Sequence, residues 1–305
     1  MGTRNTGGFE VRRTIALAIM LFPALGMGQS RPEDWKVEDR ETIRKSFNVS
    51  PGSKVEIDNV NGFIHVTAAA GSQVEATIEK RIRAESSDKL AAAKSEVKLD
   101  ISQHGNTVRM YVDGPFRNKN GDSNYSERRA GYRVEYDYEI HAPAGTELAL
   151  KGMNGAIVVK GTSGSFDIHG LNGAVDMQEI SGSGSAQTVN GPVKVSYASN
   201  PKAPSEFHTV NGLVDAYFRP NLNAELQYKT VNGGVYSDFD VTPVAFESSG
   251  ETSSATVRQR VNGTKNARFL YRSGGAGQQA KVGTGGPMLK FNTGNGAIRL
   301  HSGKP

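Results

Sequence analysis

The sequence predicts an all-β fold, a β-solenoid of repeated strand, corner and strand, and three observations predict it. The pair Asn-Gly recurs at Asn61-Gly62, Asn154-Gly155, Asn172-Gly173, Asn190-Gly191, Asn211-Gly212, Asn232-Gly233 and Asn295-Gly296, with spacings from Asn154 of 18, 18, 21 and 21 residues. A fixed period near 20 residues is the mark of a repeat architecture. The residues around each pair fall into columns of constant character. The composition agrees: 36 glycines and an apolar fraction of 36% in 305 residues suit a turn-rich β protein.

The N-terminus reads as an export signal. Arg12 and Arg13 precede the apolar run TIALAIMLFPALG, and Gly26 and Gly28 stand at −3 and −1 of a cut before Gln29. The run is too short to span a bilayer and has the layout of a secretory signal peptide over residues 1–28. Residues 29–41, polar and charged, read as a flexible leader, and 42–305 as a single domain. Without Arg4, Arg12, Arg13 and Glu10, 33 basic residues face 30 acidic ones. That balance is too even for a nucleic-acid partner. The absence of cysteine excludes disulfides, a lipid-bearing cysteine and thiol chemistry.

SFNVS, KVEIDNV, FIHVT and VEATIEKRI alternate apolar and polar residues and read as strands. Ser87 is placed to cap a short helix near 87–97, SDKLAAAKSEV. Strands around NTVRMYVD and YRVEYDYEIH follow, joined by a long polar loop at 114–131. From Thr146 onward the repeats run together, broken only by an irregular region at 238–288, where Asn262-Gly263 lacks the β-branched pair of the other copies.

With the asparagine as position zero, position +3 holds Ile64, Ile157, Val175, Val193, Val214, Val235 and Ile298, all β-branched. Position −4 is apolar (Ile57, Leu150, Ile168, Ala186, Phe207, Tyr228, Phe291), position −3 is polar, and position −1 is apolar in every copy except Gly294. Asn-Gly ordinarily signals a two-residue hairpin. A hairpin would put positions −1 and +2 on the side of −3, leaving valines on the polar face. It would also ask Pro192, which has no N–H, to close the turn in QTVNGPVKV. A corner between stacked strands is therefore favoured, with each rung bonded to its neighbours and the asparagines free to stack as an amide ladder. Five consecutive rungs would make a body roughly 24 Å long.

These residues carry a resemblance. The order SFNVSPGSKVEIDNVNGFIHV, VEATIEKRIRAESSDKLAAAKSEVKLDI, YRVEYDYEIHAPAGTELALKGMNGAIVV and then the TVNG rungs resembles the bacterial putative-adhesin domain of unknown function, the toastrack-like β-solenoid family, over about residues 42–300. The resemblance implies an exported periplasmic, envelope or extracellular protein in contact with a polymer, another cell or an envelope-stress signalling protein. It brings no catalytic residues.

Little chemistry is legible. His169 and His208 share position −3 but would lie two rungs apart, roughly 10 Å, too far for one metal ion. Asp167, Asp176 and Asp215 raise the prospect of a carbohydrate-cleaving β-helix, which needs two carboxylates about 5–10 Å apart, but Lys194 and Tyr236 interrupt the column. No phosphate-binding or metal motif occurs, and no cofactor is expected. Arg117, Lys119, Arg128 and Arg129 form a candidate interaction loop for acidic surfaces, diluted by Asp122 and Glu127. The preferred reading is a non-catalytic binding protein with an unknown polymer or envelope-protein partner; the alternatives are a carbohydrate-active enzyme and an envelope-stress signalling partner.

Overall fold

The computed structural model describes residues 35–117, 130–244, 268–272 and 278–305. The signal-peptide segment, Lys119, Arg128, Arg129 and Asn262-Gly263 lie outside the described residues.

Strand β1 (Val37–Asn48) begins inside the stretch expected to be leader and pairs antiparallel with β4 along its whole length. The first Asn-Gly joins β2 (Lys54–Asn61) to β3 (Ile64–Ala69), and β4 (Gln73–Ala84) leads to helix α1 (Ser87–Glu96). The cap is Ser86 rather than Ser87: its side chain accepts from the Lys89 N–H at 3.3 Å, while Ser87 is already the first helical residue. The hairpin β5 (Lys98–His104) and β6 (Thr107–Asp113) comes next, followed by β7 (Tyr132–Pro143).

Strand pairs then flank the remaining corners: β8 (Glu147–Asn154) with β9 (Ile157–Lys160), β10 (Phe166–Asn172) with β11 (Val175–Ile180), and β12 (Gly184–Asn190) with β13 (Val193–Tyr197). They continue as β14 (Ser205–Asn211) with β15 (Val214–Phe218) and β16 (Ala224–Asn232) with β17 (Gly234–Ser237). In the region expected to be irregular, β18 (Val241–Val244), β19 (Arg268–Arg272) and β20 (Gln278–Val282) are strands set antiparallel at the sheet ends. The chain closes with β21 (Met288–Asn295) and β22 (Ile298–Ser302).

Among the described residues the fold is almost all β with one short helix, in two large mixed sheets. The strand before each Asn-Gly and the strand after it lie in different sheets. The pre-corner sheet runs β18-β20-β16-β21-β14-β12-β10-β8-β2-β6-β5, and the post-corner sheet runs β1-β4-β7-β3-β9-β11-β13-β15-β22-β17-β19. From β2 to β16 and from β3 to β17 neighbours are parallel, with asparagine opposite asparagine and the +3 residues opposite one another. Corners, not hairpins, carry the Asn-Gly pairs.

The rung order departs from the chain order. Chain order alone would put the Asn295 rung, 63 residues after Asn232, beyond the others. Instead β21 lies between β14 and β16, and β22 between β15 and β17. The stack of corners is therefore seven rungs, continuous from Asn61 to Asn232, where the sequence suggests five.

Between the sheets lies one core. All seven +3 side chains are buried, as are those at −4; burying a Val, Ile or Leu side chain contributes about 1.5–3 kcal/mol. Where β12 puts only Ala186 and Thr188 into the core, larger neighbours close around it: Phe166 and Phe207, from the strands on either side, lie 6.4 Å apart between ring centroids, and Tyr197 meets Phe207 edge-on at 6.5 Å. At the N-terminal end α1 packs against β1, β4 and β7 and buries Ala93.

Candidate functional site

Each letter of TVNG has its own task at the corner. The threonines at −2 point inward and are buried, and each hydroxyl donates to the glycine carbonyl of the neighbouring corner. Thr188 reaches Gly173 O at 2.9 Å, Thr209 reaches Gly191 O at 2.8 Å, Thr293 reaches Gly212 O at 2.8 Å and Thr230 reaches Gly296 O at 3.0 Å. These bonds satisfy carbonyls that the bend takes out of the sheet ladder. At the first rung Asn59 does the same work, its Nδ2 donating to Gly62 O at 3.2 Å and Tyr136 O at 2.8 Å.

The glycines are required by close approach. A Cβ on Gly212 would stand 2.0 Å from Gly191 O, and one on Gly173 would stand 2.1 Å from Gly155 O. Corner backbones stack at a distance only glycine permits. Each glycine N–H from Gly62 through Gly296 donates to the asparagine carbonyl of the next rung at 2.9–3.0 Å.

The asparagine side chains form a ladder. Nδ2 of Asn154, Asn172, Asn190, Asn211, Asn295 and Asn232 donates to Oδ1 of Asn61, Asn154, Asn172, Asn190, Asn211 and Asn295 in turn, at 2.7–3.0 Å. Six such bonds link seven rungs. Except at Asn154 and Asn61, the ladder residues are solvent-exposed.

The residues at −1 occupy the side that the hairpin argument reserved for polar groups. Met153, Leu171, Val210 and Val231 are exposed, by 37–50%, as is Phe63 at +2. Alternation along the strand decides this: −4 and −2 face the core, so −1 faces out with −3, although Val60 at the first rung is covered and Val189 is half-buried. Among the described residues these five make up most of the large hydrophobic side chains left exposed, the others being Tyr236 and Val244. The corners thus form a ridge with an amide ladder along its crest and aliphatic side chains on its flanks. No residue from −1 to +2 in any of the seven copies is ionisable. A ladder of strands spaced about 4.8 Å apart makes this ridge about 29 Å long.

The outer face of the post-corner sheet is charged. His65 Nδ1 meets Glu139 Oε1 at 2.9 Å, and Gln178 donates to Asp176 at 2.9 Å. Lys194 lies over the Tyr217 ring at 5.5 Å, and that ring stacks on His301 at 4.4 Å. His301 sits between Asp215 at 3.5 Å and Asp238 at 3.6 Å. A depression of about 380 Å³ beside it is lined by Tyr236, Asp238, Arg299 and His301. Asp176 and Asp215 are two rungs apart, with Lys194 on the strand between them.

On the other sheet His169 contacts Asp167 at 2.8 Å and touches Gln187, which belongs to the rung separating it from His208. Among the described residues no group of three or more His, Asp and Glu is placed to hold a metal ion. Arg117 is committed to the fold: it bonds Asp58 Oδ1 at 2.6 Å and Val112 O at 3.0 Å, and its guanidinium stacks over Tyr111 at 4.6 Å. No helix among the described residues is long and apolar enough to cross a membrane.

No family model matches the chain, and no curated protein does. Solved structures similar to it include a putative cell adhesion protein from Clostridium sporogenes, 10% identical over 86% of this chain and 100% of that one, with a TM-score of 0.36. A putative adhesin from Bacteroides fragilis is 13% identical over 85% of this chain and 97% of that one, with a TM-score of 0.37. A third, from Parabacteroides distasonis, is 11% identical over 85% and 97%, with a TM-score of 0.22. The resemblance to putative adhesins is distant.

The threonine caps, the exposed ridge and the inserted rung were not read from the sequence. The signal for the caps was present, since a threonine at −2 in four copies is a polar residue on an otherwise apolar, inward-facing stripe.

Proposed function

We propose that the chain is an exported, non-catalytic binding protein of the adhesin kind, built as a single β-solenoid domain that takes in β1 from Val37 and runs to residue 305, behind a signal peptide of residues 1–28. Its repeated β surface engages a polymer or a protein partner in the cell envelope or outside the cell. The observation that carries this reading is the seven-rung corner ridge, an exposed surface that repeats with the fold. An active site would need one rung to depart from the others with converging acids or a nucleophile and its base. The carboxylates that recur on the outer face instead alternate with Lys194, Arg299 and Tyr236 from rung to rung.

The test is to incubate purified protein with a panel of neutral and acidic polysaccharides and to read both retention on the polymer and release of reducing ends. Retention without release is expected. Release of reducing ends that Asp176→Asn or Asp215→Asn abolishes would overturn the non-catalytic reading.

A further inference from the structure

We infer that the corner ridge is a binding track for a neutral polysaccharide laid lengthwise along the asparagine ladder; this rests on the polymer-binding reading above and names its surface and ligand class. Each ladder amide has two N–H groups and gives one to its neighbour. Among the described residues, Asn154, Asn172, Asn190, Asn211, Asn295 and Asn232 have no further acceptor for the second. The crest is thus a row of unspent donors repeating about every 4.8 Å. Its flanks are aliphatic, with exposed Met153, Leu171, Val210 and Val231 before the asparagines, and exposed Pro192 with half-buried Ala156, Ala174 and Leu213 after the glycines.

A sugar ring in an extended neutral chain offers the matching chemistry. Its hydroxyl and ether oxygens accept from amides, and its C–H face packs on aliphatic carbon. Phe63, exposed at the Asn61 end, adds an aromatic face.

Other occupants fit less well. An acidic polymer or an anionic lipid surface needs cations, and from −1 to +2 the ridge has none. A peptide adding itself as a strand needs free backbone groups. Along the ridge the glycine N–H is given to the next asparagine carbonyl and the +3 N–H to the next +2 carbonyl, so the alternating donors and acceptors of an open strand edge are not on offer there. A second copy packed ridge to ridge would cover a strip of about 29 by 12 Å, roughly 350 Å² a side. That is under half of the ~800 Å² per partner that stable interfaces bury. A polymer escapes this limit because contacts repeat along its length.

The test sediments purified protein with insoluble cellulose, chitin and curdlan, with polygalacturonate-coated beads as the acidic probe. Three forms are compared: the natural sequence, the ridge variant Leu171→Glu/Val210→Glu, and Lys151→Glu on the outer face of the pre-corner sheet. The natural protein and Lys151→Glu are expected to sediment with at least one neutral polysaccharide, equally at low and high salt. The ridge variant is expected to lose at least about tenfold in affinity, a loss of 1.4 kcal/mol, with an unchanged melting temperature. If the glutamates disturb folding, Leu171→Gln/Val210→Gln removes the aliphatic flank without charge and is expected to show the same direction of loss.

Retention by a well-folded ridge variant would overturn the ridge while leaving polymer binding intact. Capture by polygalacturonate alone would overturn the neutral ligand. Failure to bind any of the probes would overturn the inference and leave only a protein partner for the broader reading. A concentration-dependent dimer abolished by the ridge variant would reassign the ridge to self-association.

Discussion

Substituting Gly212 by alanine separates two explanations of the corner glycines. If glycine were needed for its left-handed conformations, as in a hairpin, the cost would be a dihedral one. Gly212 has no positive φ, yet its Cβ would meet Gly191 O at 2.0 Å, and both groups are backbone. Relief to the 3.0 Å that real Cβ atoms respect moves the two corners apart by about 1 Å. Four bonds cross that gap: Gly191 N to Asn211 O at 3.0 Å, Val193 N to Leu213 O at 2.9 Å, Asn211 Nδ2 to Asn190 Oδ1 at 2.9 Å and Thr209 Oγ1 to Gly191 O at 2.8 Å. At ~1 kcal/mol each, Gly212→Ala is expected to cost about 4 kcal/mol. The control is Gly105→Ala in the β5–β6 turn, where φ is +59° and nothing lies within 4 Å. That change is expected to cost about 1 kcal/mol of dihedral strain. In a chain of this size the losses correspond to about 8 °C and 2 °C in melting temperature, read by circular dichroism. Equal shifts in the two variants, or a Gly212→Ala protein that melts with the natural one, would refute the close-approach account.

Val214→Asp places a carboxylate in the buried +3 column and is expected to cost several kcal/mol. Asp215→Asn, one residue on and facing His301 at 3.5 Å, is expected to shift the melting temperature far less; comparable losses would reverse the assignment of faces. Burial pushes the hydroxyls of Tyr136, Tyr138 and Tyr197 above their ordinary value of 10.0. The folded state therefore keeps protons that the unfolded chain releases, so stability is full below about pH 10 and falls as pH rises beyond it. Tyr138→Phe, which removes a buried hydroxyl with no partner among the described residues, is expected to blunt that fall and leave neutral-pH stability equal or higher. A steeper alkaline loss in urea melts of the variant would count against it.

The period and the +3 and −4 columns were legible because every copy must bury the same two positions, and seven repetitions of that demand write a pattern into the chain. The order of rungs was not. Once rungs are alike in length and register, nothing local tells Asn295 to lie beside Asn211 rather than beyond Asn232, and parallel pairing between distant strands leaves no turn to read. The helix boundary missed by one residue because Ser86 and Ser87 are equivalent on paper. Arg117 was legible as a charge but not as a partner of Asp58, which is 59 residues away.

The position −1 was misread for a more instructive reason. Hydrophobicity placed Val210 and its equivalents in the core, while alternation placed them outside, and alternation prevails because the backbone fixes it. What remains to be explained is why the outside position is apolar. Strand propensity supplies valine, but it does not supply Met153 or Leu171, which lack the β-branch. Intolerance of charge at the corner is no answer either, since outward-facing −3, two residues away, carries Lys151, His169 and Lys229. Folding is served by the core columns, the threonine caps and the ladder, none of which touches the exposed end of the −1 side chain. An aliphatic residue held in water at four of the seven rungs, beside amides with donors to spare, is a feature that folding does not require, and it is the feature on which the proposed binding track rests.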